Sequence, residues 1–328
     1  MNKKVIIGIL LFLFLAGCKP LPYKIEETKP LMSTLVTITI IDNDATKANA
    51  AMQDAFNELQ RIESVMSIYN ASSEAYRLNE DGYLENASNE LLFVIKKSLY
   101  YSNLTNGAFD ITVQPVLDLY TEAYNVEKRV PTDKEIETAQ QLVNYKDIII
   151  DGNRIMLAKK GMKITLGGIA KGYAVGQAIS VLEKHNIEHA LVVAGGDLMA
   201  IGTKENNQSW SVALQNPRDR NDFITIIPVL NQAISTSGDY ERYFVENKSV
   251  HHIINPKTGK SATELISVTV IGKNPIDTDA LSTSVFVLGK DKGLQFMKQQ
   301  HVVGLIITSD KKIYKTDGLK ELVTEKEV

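Results

Sequence analysis

The stretch from residue 163 to residue 194 constrains the fold of this chain more than any other part of the sequence. A short apolar run, Lys163–Leu166, ends in the pair Gly167-Gly168, and a helical pattern then extends from Ile169 to about Lys184. The β-branched run Ala190–Ala194 closes the unit as a second strand. Because a strand, a tight turn, a helix and a strand follow one another so closely, the chain must combine helices with a sheet.

Further strands and helices precede this unit. Thr34–Ile41 is predicted to be a strand, and Asp44 is predicted to open a helix whose apolar residues recur at helical spacing. Residues 70–90 are polar and are predicted to be a loop, followed by a second helix from about Ser88 to Asn103. The apolar residues of the first helix are Ala48, Ala51, Ala55, Leu59, Ile62 and Met66.

The remaining signals are short and follow no regular alternation. They are a capping box at Thr132 and Glu135, a hairpin turn at Asp151-Gly152, helices from Asp279 and from about Lys292, and a strand over Val302–Thr308. No linker divides residues 31–328. We therefore predict a mixed α/β (α+β) fold with one extended core.

The N-terminus has the pattern of an export signal. Lys3 and Lys4 precede twelve uncharged apolar residues, a length that fits a signal-peptide core and is too short to span a bilayer. The run ends in Leu15-Ala16-Gly17-Cys18, which resembles a bacterial lipobox. We predict a signal peptide over residues 1–17, lipidation of Cys18, and a tether over residues 18–30 that contains three prolines. The alternatives are a buried N-terminal helix with an incidental cysteine, or a signal cleaved elsewhere.

This interpretation places the mature chain outside the cytoplasm, anchored by lipid to the cell membrane or the outer membrane. Composition excludes other classes of protein. One cysteine among 328 residues permits no internal disulfide and no cysteine-based metal centre. A net charge of −3 leaves no broad basic surface, so no nucleic-acid partner is expected.

Two short patterns suggest a site for phosphate and metal. Gly167-Gly168 lies before the start of a helix, whose free N–H groups favour an anion, and Lys171 adds a positive charge in the first turn. Asp279 and Thr283 lie four residues apart on one helix face and offer the hard oxygen donors that Mg²⁺ prefers. The alternatives are a simple tight turn for the glycines and a helix N-cap for Asp279.

His251 and His252 are adjacent on a predicted strand that runs into a turn. Neighbouring residues on a strand point to opposite faces, so at most one of them can enter a given site. No cysteine lies nearby and the HExxH motif is absent, which disfavours zinc.

Seven short motifs between about Met32 and Leu288, taken in order, resemble the ApbE family of FAD:protein FMN transferases. The specificity lies in their order, because each motif alone is ordinary turn chemistry. The motifs are Met32-Ser33-Thr34, Gly107-Ala108-Phe109-Asp110, Leu166-Gly167-Gly168-Ile169-Ala170-Lys171-Gly172-Tyr173, Gly195-Gly196-Asp197, Thr236-Ser237-Gly238-Asp239-Tyr240, His252-Ile253-Ile254-Asn255-Pro256 and Asp279-Ala280-Leu281-Ser282-Thr283.

The resemblance implies a single catalytic body, related to the T-fold, with FAD and Mg²⁺ bound in a central cleft. It implies that FAD is split at its pyrophosphate, that FMN passes to a threonine or serine hydroxyl of an acceptor protein, and that AMP is released. The acceptor would carry a Ser/Thr flavinylation motif, as in flavin-bearing subunits of ion-pumping redox complexes.

The resemblance also implies roles for individual residues. Asp279, Thr283 and the backbone carbonyl of Gly168 would hold Mg²⁺, so that Asp279 is catalytic together with His252, which would accept the proton of the acceptor hydroxyl. The residues that would contact FAD are Met32, Tyr69, Ala108, Phe109, Asp110, Thr165, Lys171 and Ile254.

Three positions depart from the pattern of the family. Thr165 stands where the family usually has aspartate, so a carboxylate expected near FAD is missing. Ser33 replaces a usual glycine, and Asn255 replaces the commoner aspartate before Pro256.

Two other functions fit the same residues. The first is an Mg²⁺-dependent FAD pyrophosphatase, in which water replaces the acceptor hydroxyl and the products are FMN and AMP. The second is a lipoprotein that only binds a flavin. Lys171, Asp279 and Thr283 favour an enzyme over a carrier, because a flavin carrier needs no metal site.

Overall fold

A computed structural model describes residues 22–320 of the chain. The predicted signal peptide over residues 1–17, the predicted lipidation site Cys18 and the last eight residues lie outside this part. Within residues 22–320, no helix is both long and apolar enough to cross a membrane.

Nine α-helices and fifteen strands lie in residues 22–320. The helices are α1 (Ala45–Met66), α2 (Glu74–Asp81), α3 (Asn89–Leu104), α4 (Gln114–Thr121), α5 (Asp133–Gln140), α6 (Ala170–Lys184), α7 (Pro275–Leu288), α8 (Lys290–Gln299) and α9 (Asp317–Lys320). The strands are β1 (Tyr23–Leu31), β2 (Thr34–Asp42), β3 (Tyr83–Leu84), β4 (Ile148–Asp151), β5 (Arg154–Leu157), β6 (Ala190–Ala194), β7 (Asp197–Ile201), β8 (Trp210–Asn216), β9 (Asp219–Val229), β10 (Gln232–Gly238), β11 (Ile254–Asn255), β12 (Lys260–Ser261), β13 (Leu265–Gly272), β14 (Val303–Thr308) and β15 (Ile313–Lys315).

Eight of these strands form one sheet in the order β1-β2-β6-β7-β10-β13-β14-β15. All neighbouring pairs in this sheet are antiparallel. The smaller sheets of the described residues are β3-β5-β4, β8-β9 and β11-β12. The mixed α/β fold predicted from the sequence is confirmed.

Alternating side chains of the large sheet pack against different layers. Ile38 of β2 and Val192 of β6 belong to a core shared with α1 and α6. On the opposite face, Leu198 of β7 and Ile234 of β10 pack against the β8–β9 hairpin, whose Trp210 is 5 % exposed. The sheet is therefore covered on both faces, by helices on one and by a hairpin on the other.

Several predicted elements are confirmed with their end signals. Asp44 caps α1 by accepting hydrogen bonds from the N–H groups of Thr46 and Lys47, and all six predicted apolar residues of this helix are buried. Thr132 and Glu135 form the capping box of α5. The turn at Asp151-Gly152 joins β4 and β5 in a hairpin.

The loop predicted over residues 70–90 is wrong for its central part, which forms α2 and β3. Ser73 caps α2, and Gly82 ends it with a left-handed φ of 75°. The helix is short and polar, and only Ala75, Leu78 and Asn79 on one side are buried. That narrow stripe explains why hydrophobic periodicity missed it.

The strand predicted over Lys163–Leu166 is also wrong. The main chain of Ile164 bonds at both its N–H and its carbonyl to the side-chain amide of Asn79, at 2.7 and 2.9 Å. The N–H of Thr165 bonds to the carbonyl of Ile111. A side chain thus supplies the hydrogen bonds that a neighbouring strand would supply in a sheet.

Two boundaries differ from the prediction. Residues 23–30 of the predicted tether belong to β1, which pairs with β2 along its whole length, so the folded body begins at least as early as Tyr23. Helix α7 begins at Pro275 instead of Asp279, because proline is well suited to the first turn of a helix. Asp279 therefore lies in the second turn of α7 and is not an N-cap.

Candidate active site

A cleft of about 520 Å³ opens where the end of β10, the start of α6, the middle of α7 and the loop over residues 239–256 meet. This volume lies in the range of small-molecule sites. Eleven of the twelve residues assigned to FAD, metal or catalysis line this one cleft: Tyr69, Ala108, Phe109, Asp110, Thr165, Gly168, Lys171, His252, Ile254, Asp279 and Thr283.

Met32 is the exception, since the described wall contains its neighbours Ser33 and Thr34. The N–H of Met32 bonds to Oε1 of Glu63 at 2.9 Å, and its side chain packs against the main core. Met32 and Ser33 both have a left-handed φ, 53° and 58°, in the turn between β1 and β2. Glycine adopts this conformation without strain, which explains the preference for glycine that Ser33 departs from.

Helices α6 and α7 touch backbone to backbone at the floor of the cleft. A Cβ atom on Gly172 would lie 2.2 Å from the carbonyl oxygen of Pro275 and 2.8 Å from Cβ of Asp279. This contact lets the N–H of Gly172 donate a hydrogen bond to Oδ2 of Asp279 at 2.9 Å. The start of α6 therefore already holds an anion, the Asp279 carboxylate.

Lys171 lies beside two buried carboxylates. Its Nζ atom is 2.6 Å from Oδ2 of Asp197, whose side chain is only 3 % exposed. Burial alone lowers the pKa of Lys171, but the charges of Asp197 and Asp279 outweigh it and hold that pKa above its usual range. Lys171 is therefore charged at neutral pH.

Asp279 carries excess negative potential. Burial and the nearby charge of Asp197 raise its pKa well above the usual range, although Lys171 and the Gly172 N–H oppose this shift. Two carboxylates thus share one ammonium. A second cation would relieve the repulsion between them.

Thr283 and Gly168 approach each other across the same space. A Cβ atom on Gly168 would lie 3.0 Å from Oγ1 of Thr283 and 3.3 Å from the ring of Phe109. Oγ1 of Thr283 is also 3.1 Å from the hydroxyl of Ser237. Only glycine fits at position 168 without a shift of these neighbours, so the backbone there approaches the Thr283 hydroxyl closely.

These donors fit Mg²⁺. A carboxylate, a hydroxyl and a backbone carbonyl are hard oxygen ligands, and Mg²⁺ takes few of them from the protein while keeping water and phosphate oxygens. In residues 22–320, no group of three or more His, Cys, Asp or Glu side chains is placed to hold a metal by itself. The set suits an ion that arrives with a phosphate-bearing substrate.

His252 is held in one orientation by the main chain. Its Nδ1 atom lies 3.0 Å from the carbonyl oxygen of Arg242, and its own N–H bonds to the same oxygen at 3.1 Å. Because a carbonyl only accepts, Nδ1 carries the proton and Nε2 keeps a free lone pair. Burial lowers the pKa of His252 to about 3, so the ring is neutral at neutral pH and its Nε2 lone pair is free to accept a hydrogen bond.

His251 belongs to the core. It is fully buried, its Nε2 lies 3.0 Å from the carbonyl of Ala262, and its ring meets Phe286 edge to face. The predicted strand over His251 and His252 is reduced to a single bridge between Tyr243 and His251. Of the two histidines, only His252 lines the described cleft, which agrees with the expectation that at most one of them enters a given site.

Asp110 and Thr165 have visible structural roles. The carboxylate of Asp110 accepts hydrogen bonds from the N–H and hydroxyl of Thr112 and from the N–H of Tyr145. Burial nevertheless raises the pKa of Asp110. Oγ1 of Thr165 accepts a hydrogen bond from the N–H of Gly167 at 3.3 Å, a contact that an aspartate could also make.

Asp197 and Arg242 were missed as site residues. In the sequence, Gly195-Gly196-Asp197 indicates only a turn, and nothing local shows that the carboxylate turns inward to meet Lys171. Arg242 lines the cleft, and within the described residues no hydrogen bond or ion pair engages its guanidinium. Its charge helps to lower the pKa of His252, after burial.

Comparison with known proteins finds one family whose members resemble this chain in sequence and in structure. The model of the ApbE family matches residues 32–307. A protein of Haemophilus influenzae named FAD:protein FMN transferase is 30% identical over 328 residues, which cover 94% of each chain. The crystal structure of the ApbE protein from Thermotoga maritima superposes with a TM-score of 0.84 at 34% identity, covering 92% of this chain and 100% of that one. The flavin transferase ApbE from Vibrio cholerae gives a TM-score of 0.81 at 27% identity, with coverage of 92% and 99%.

Proposed function

Since the chain belongs to the ApbE family, we propose that it is an FAD:protein FMN transferase. The hydroxyl oxygen of an acceptor threonine or serine attacks the FMN phosphorus of FAD. The bond from that phosphorus to the bridging oxygen breaks, AMP leaves with that oxygen, and FMN stays on the acceptor as a phosphoester. The proton of the attacking hydroxyl passes to a base on the enzyme.

One observation carries this proposal: a neutral histidine of fixed tautomer and a cluster of phosphate- and metal-binding groups line the same cleft. His252 has its Nε2 lone pair available for the hydroxyl proton, because Nδ1 is committed to the carbonyl of Arg242. Proton transfer to a positioned base of this kind typically contributes about 10²–10⁴-fold to a rate.

Lys171 supplies fixed positive charge for the pyrophosphate. The ion pair with Asp197 holds its ammonium in place, and its side chain remains 24% exposed on the cleft side. Phosphoryl transfer depends mainly on alignment and on neutralising charge that spreads over the phosphate oxygens. A cation held in advance does this without reorganisation during the reaction.

Asp279, Thr283 and the carbonyl of Gly168 would hold Mg²⁺. When bound, the ion would neutralise the pyrophosphate and make phosphorus more electrophilic. The repulsion between Asp197 and Asp279, which raises the pKa of Asp279, supports this assignment. Removal of the Asp279 carboxylate would leave the set without its only charged donor.

The flavin and adenine parts of FAD would lie along the rest of the cleft. Phe109 and Ile254 offer apolar contact inside, and Tyr69, 70% exposed, stands at the rim where a planar ring can stack on it. Lipidation at Cys18 would keep the enzyme outside the cytoplasm, on the periplasmic side of the cell membrane or the outer membrane. Flavin-bearing subunits of ion-pumping redox complexes are acceptors that fit this location.

The test incubates the full chain with FAD, Mg²⁺ and a purified acceptor, and follows the acceptor by mass spectrometry. We expect an FMN adduct on one Ser or Thr together with one AMP per adduct. Asp279→Ala is expected to abolish the adduct, while Asp133→Ala, which removes an exposed carboxylate outside the described cleft wall, is expected to have no effect. Rapid AMP release without acceptor would identify a hydrolase, and FAD that stays intact would identify a flavin carrier.

A further inference from the structure

A partly buried ion pair joins two parts of the chain near His252. Asp239, 4 % exposed, directly follows β10. Arg218 lies in the turn between β8 and β9 and bonds to both oxygens of Asp239, at 2.7 and 2.6 Å. Such bidentate contacts fix direction as well as distance. The tip of the β8–β9 hairpin is therefore fastened to the start of the loop over residues 239–256.

This loop carries the hydrogen-bond partner of His252. From Asp239 the chain continues to Arg242, whose carbonyl accepts both hydrogen bonds of His252. The chain then turns back, with Phe244 bonded through its N–H to the carbonyl of Val250 and Tyr243 bridged to His251. The segment over residues 239–252 is thus a hairpin with His252 at the end of its returning arm.

Both arms of this hairpin are anchored to the body of the protein by several contacts. The returning arm is fixed by His251, which is buried against Phe286. The outgoing arm is fixed by the salt bridge to Arg218 and by the bond from the N–H of Asp239 to the carbonyl of Ile266, at 3.3 Å. If the salt bridge to Arg218 is lost, the start of the outgoing arm is held less firmly. The carbonyl of Arg242 can then move relative to the imidazole of His252.

We propose that Arg218 is a positioning residue for the transfer reaction: through Asp239 it holds the Arg242 carbonyl that keeps the His252 proton on Nδ1 and Nε2 free. The proposal rests on the proposed role of His252 as the base. Arg218 itself does not line the cleft. It acts through the loop.

The test compares Arg218→Met with the wild-type full chain in two measurements. The first is the tautomer of His252, read from nitrogen-15 NMR of histidine-labelled protein, which requires no activity. We expect one Nδ1-protonated form in the wild type and a mixture of tautomers in the variant. The second is FMN transfer, for which we expect kcat to fall by about 10- to 100-fold, as small misplacements of catalytic groups do, with little change in KM for FAD.

A double variant separates positioning from general stability. In a His252→Ala background, Arg218→Met is expected to cause no further loss of transfer, because the group it positions is gone. An equal fold-loss in both backgrounds, or an unchanged tautomer in Arg218→Met, overturns the proposal. Arg61→Met is the matched control, since Arg61 makes a bidentate contact with Glu58 on α1, away from the described cleft wall.

If Arg218→Met does not fold, Asp239→Asn takes its place, because it keeps the shape of the side chain and one hydrogen bond. The same two readouts apply to it, with the same expected and contradicting results. A changed tautomer with no transfer activity even in the wild type would support the positioning role while rejecting the proposed function. The two failures are therefore distinguishable.

Discussion

The Nζ atom of Lys171 lies 2.6 Å from Oδ2 of Asp197, a carboxylate almost sealed from solvent behind the wall of the cleft. Because Asp279 lies close enough for its charge to act on the same ammonium, the three groups form one electrostatic unit. A cation bound with the phosphate would relieve the repulsion between its two carboxylates. We therefore expect these three groups at the floor of the cleft to contribute to the stability of the fold as well as to the reaction.

Lys171→Met tests this unit. Removing the ammonium leaves the buried carboxylates of Asp197 and Asp279 without their shared partner, and we expect the free energy of unfolding to fall by about 3 kcal/mol. Urea denaturation measures this. Lys260→Met, which breaks an exposed pair with Asp133, is the control and is expected to leave the free energy of unfolding nearly unchanged. Equal losses in the two variants would show that the Lys171 pair carries no special weight.

His252→Ala is expected to lower kcat for transfer by about 100-fold while FAD binding is retained, because the ring acts on the acceptor proton and not on the flavin. Single-turnover transfer and FAD fluorescence titration separate the two effects. His185→Ala removes a histidine paired with Asp54 on the surface and serves as control. Transfer at the wild-type rate in His252→Ala would exclude this residue as the base.

Thr165→Asp restores the residue usual in the family. The aspartate can keep the hydrogen bond from the Gly167 N–H, so we expect the transfer rate to be unchanged or higher. We also expect a lower Mg²⁺ concentration to give the half-maximal rate. Titration of the transfer rate against Mg²⁺ measures this. Thr165→Asn has the same shape without charge and should leave the Mg²⁺ dependence unchanged. Loss of activity in Thr165→Asp would mean that the site is built around threonine.

Gly172→Ala tests the contact between α6 and α7. Its Cβ would overlap the carbonyl of Pro275 and press on Asp279. We expect a loss of about 1–3 kcal/mol in the free energy of unfolding and a displaced Asp279. Gly176→Ala, one turn further on, meets only Cγ of Pro275 at 3.3 Å and gains helix propensity. It is expected to be nearly neutral in thermal denaturation, and a similar loss in both variants would show that the close contact at Gly172 has no special effect on stability.

Acidification provides a test of the His252 environment. The folded protein keeps His252 neutral down to a pKa of about 3, whereas the unfolded chain takes up this proton near pH 6.5. Between these values protonation favours the unfolded state, so the stability that His252 contributes is present above pH 6.5 and is lost as pH falls toward 3. His252→Gln removes this dependence. Urea denaturation at pH 7 and pH 4.5 should show a smaller loss for the variant than for the wild type, and equal losses would contradict the low pKa.

Local signals in the sequence are sufficient for the framework. Asp44 and Thr132 mark helix starts because capping depends on residues two or three positions apart. The hairpin at Asp151-Gly152 is local in the same way. Elements that depend on distant partners cannot be predicted in this way. Lys163–Leu166 has the composition of a strand, but the side-chain amide of Asn79 makes the hydrogen bonds to its main chain that a neighbouring strand would make.

In the candidate site, too, the residues within local motifs could be predicted from the sequence and the contacts between distant residues could not. The order of seven motifs brings together residues that the structure places in one cleft, although Met32 lies beside its wall. The pairing of Lys171 with Asp197 and of Arg218 with Asp239 joins residues 26 and 21 positions apart, and no local pattern specifies either pair. The contact between His252 and the carbonyl of Arg242 cannot be predicted from the types of side chain, because its acceptor is a main-chain oxygen.

Strand β1 starts at Tyr23, five residues after the cysteine proposed to carry lipid. Five residues reach at most about 18 Å when fully extended. A protein anchored through so short a segment would stay against the membrane surface. It would reach only acceptor hydroxyls that lie within a few nanometres of the bilayer, so the distance of an acceptor from the membrane would help to determine whether it is modified.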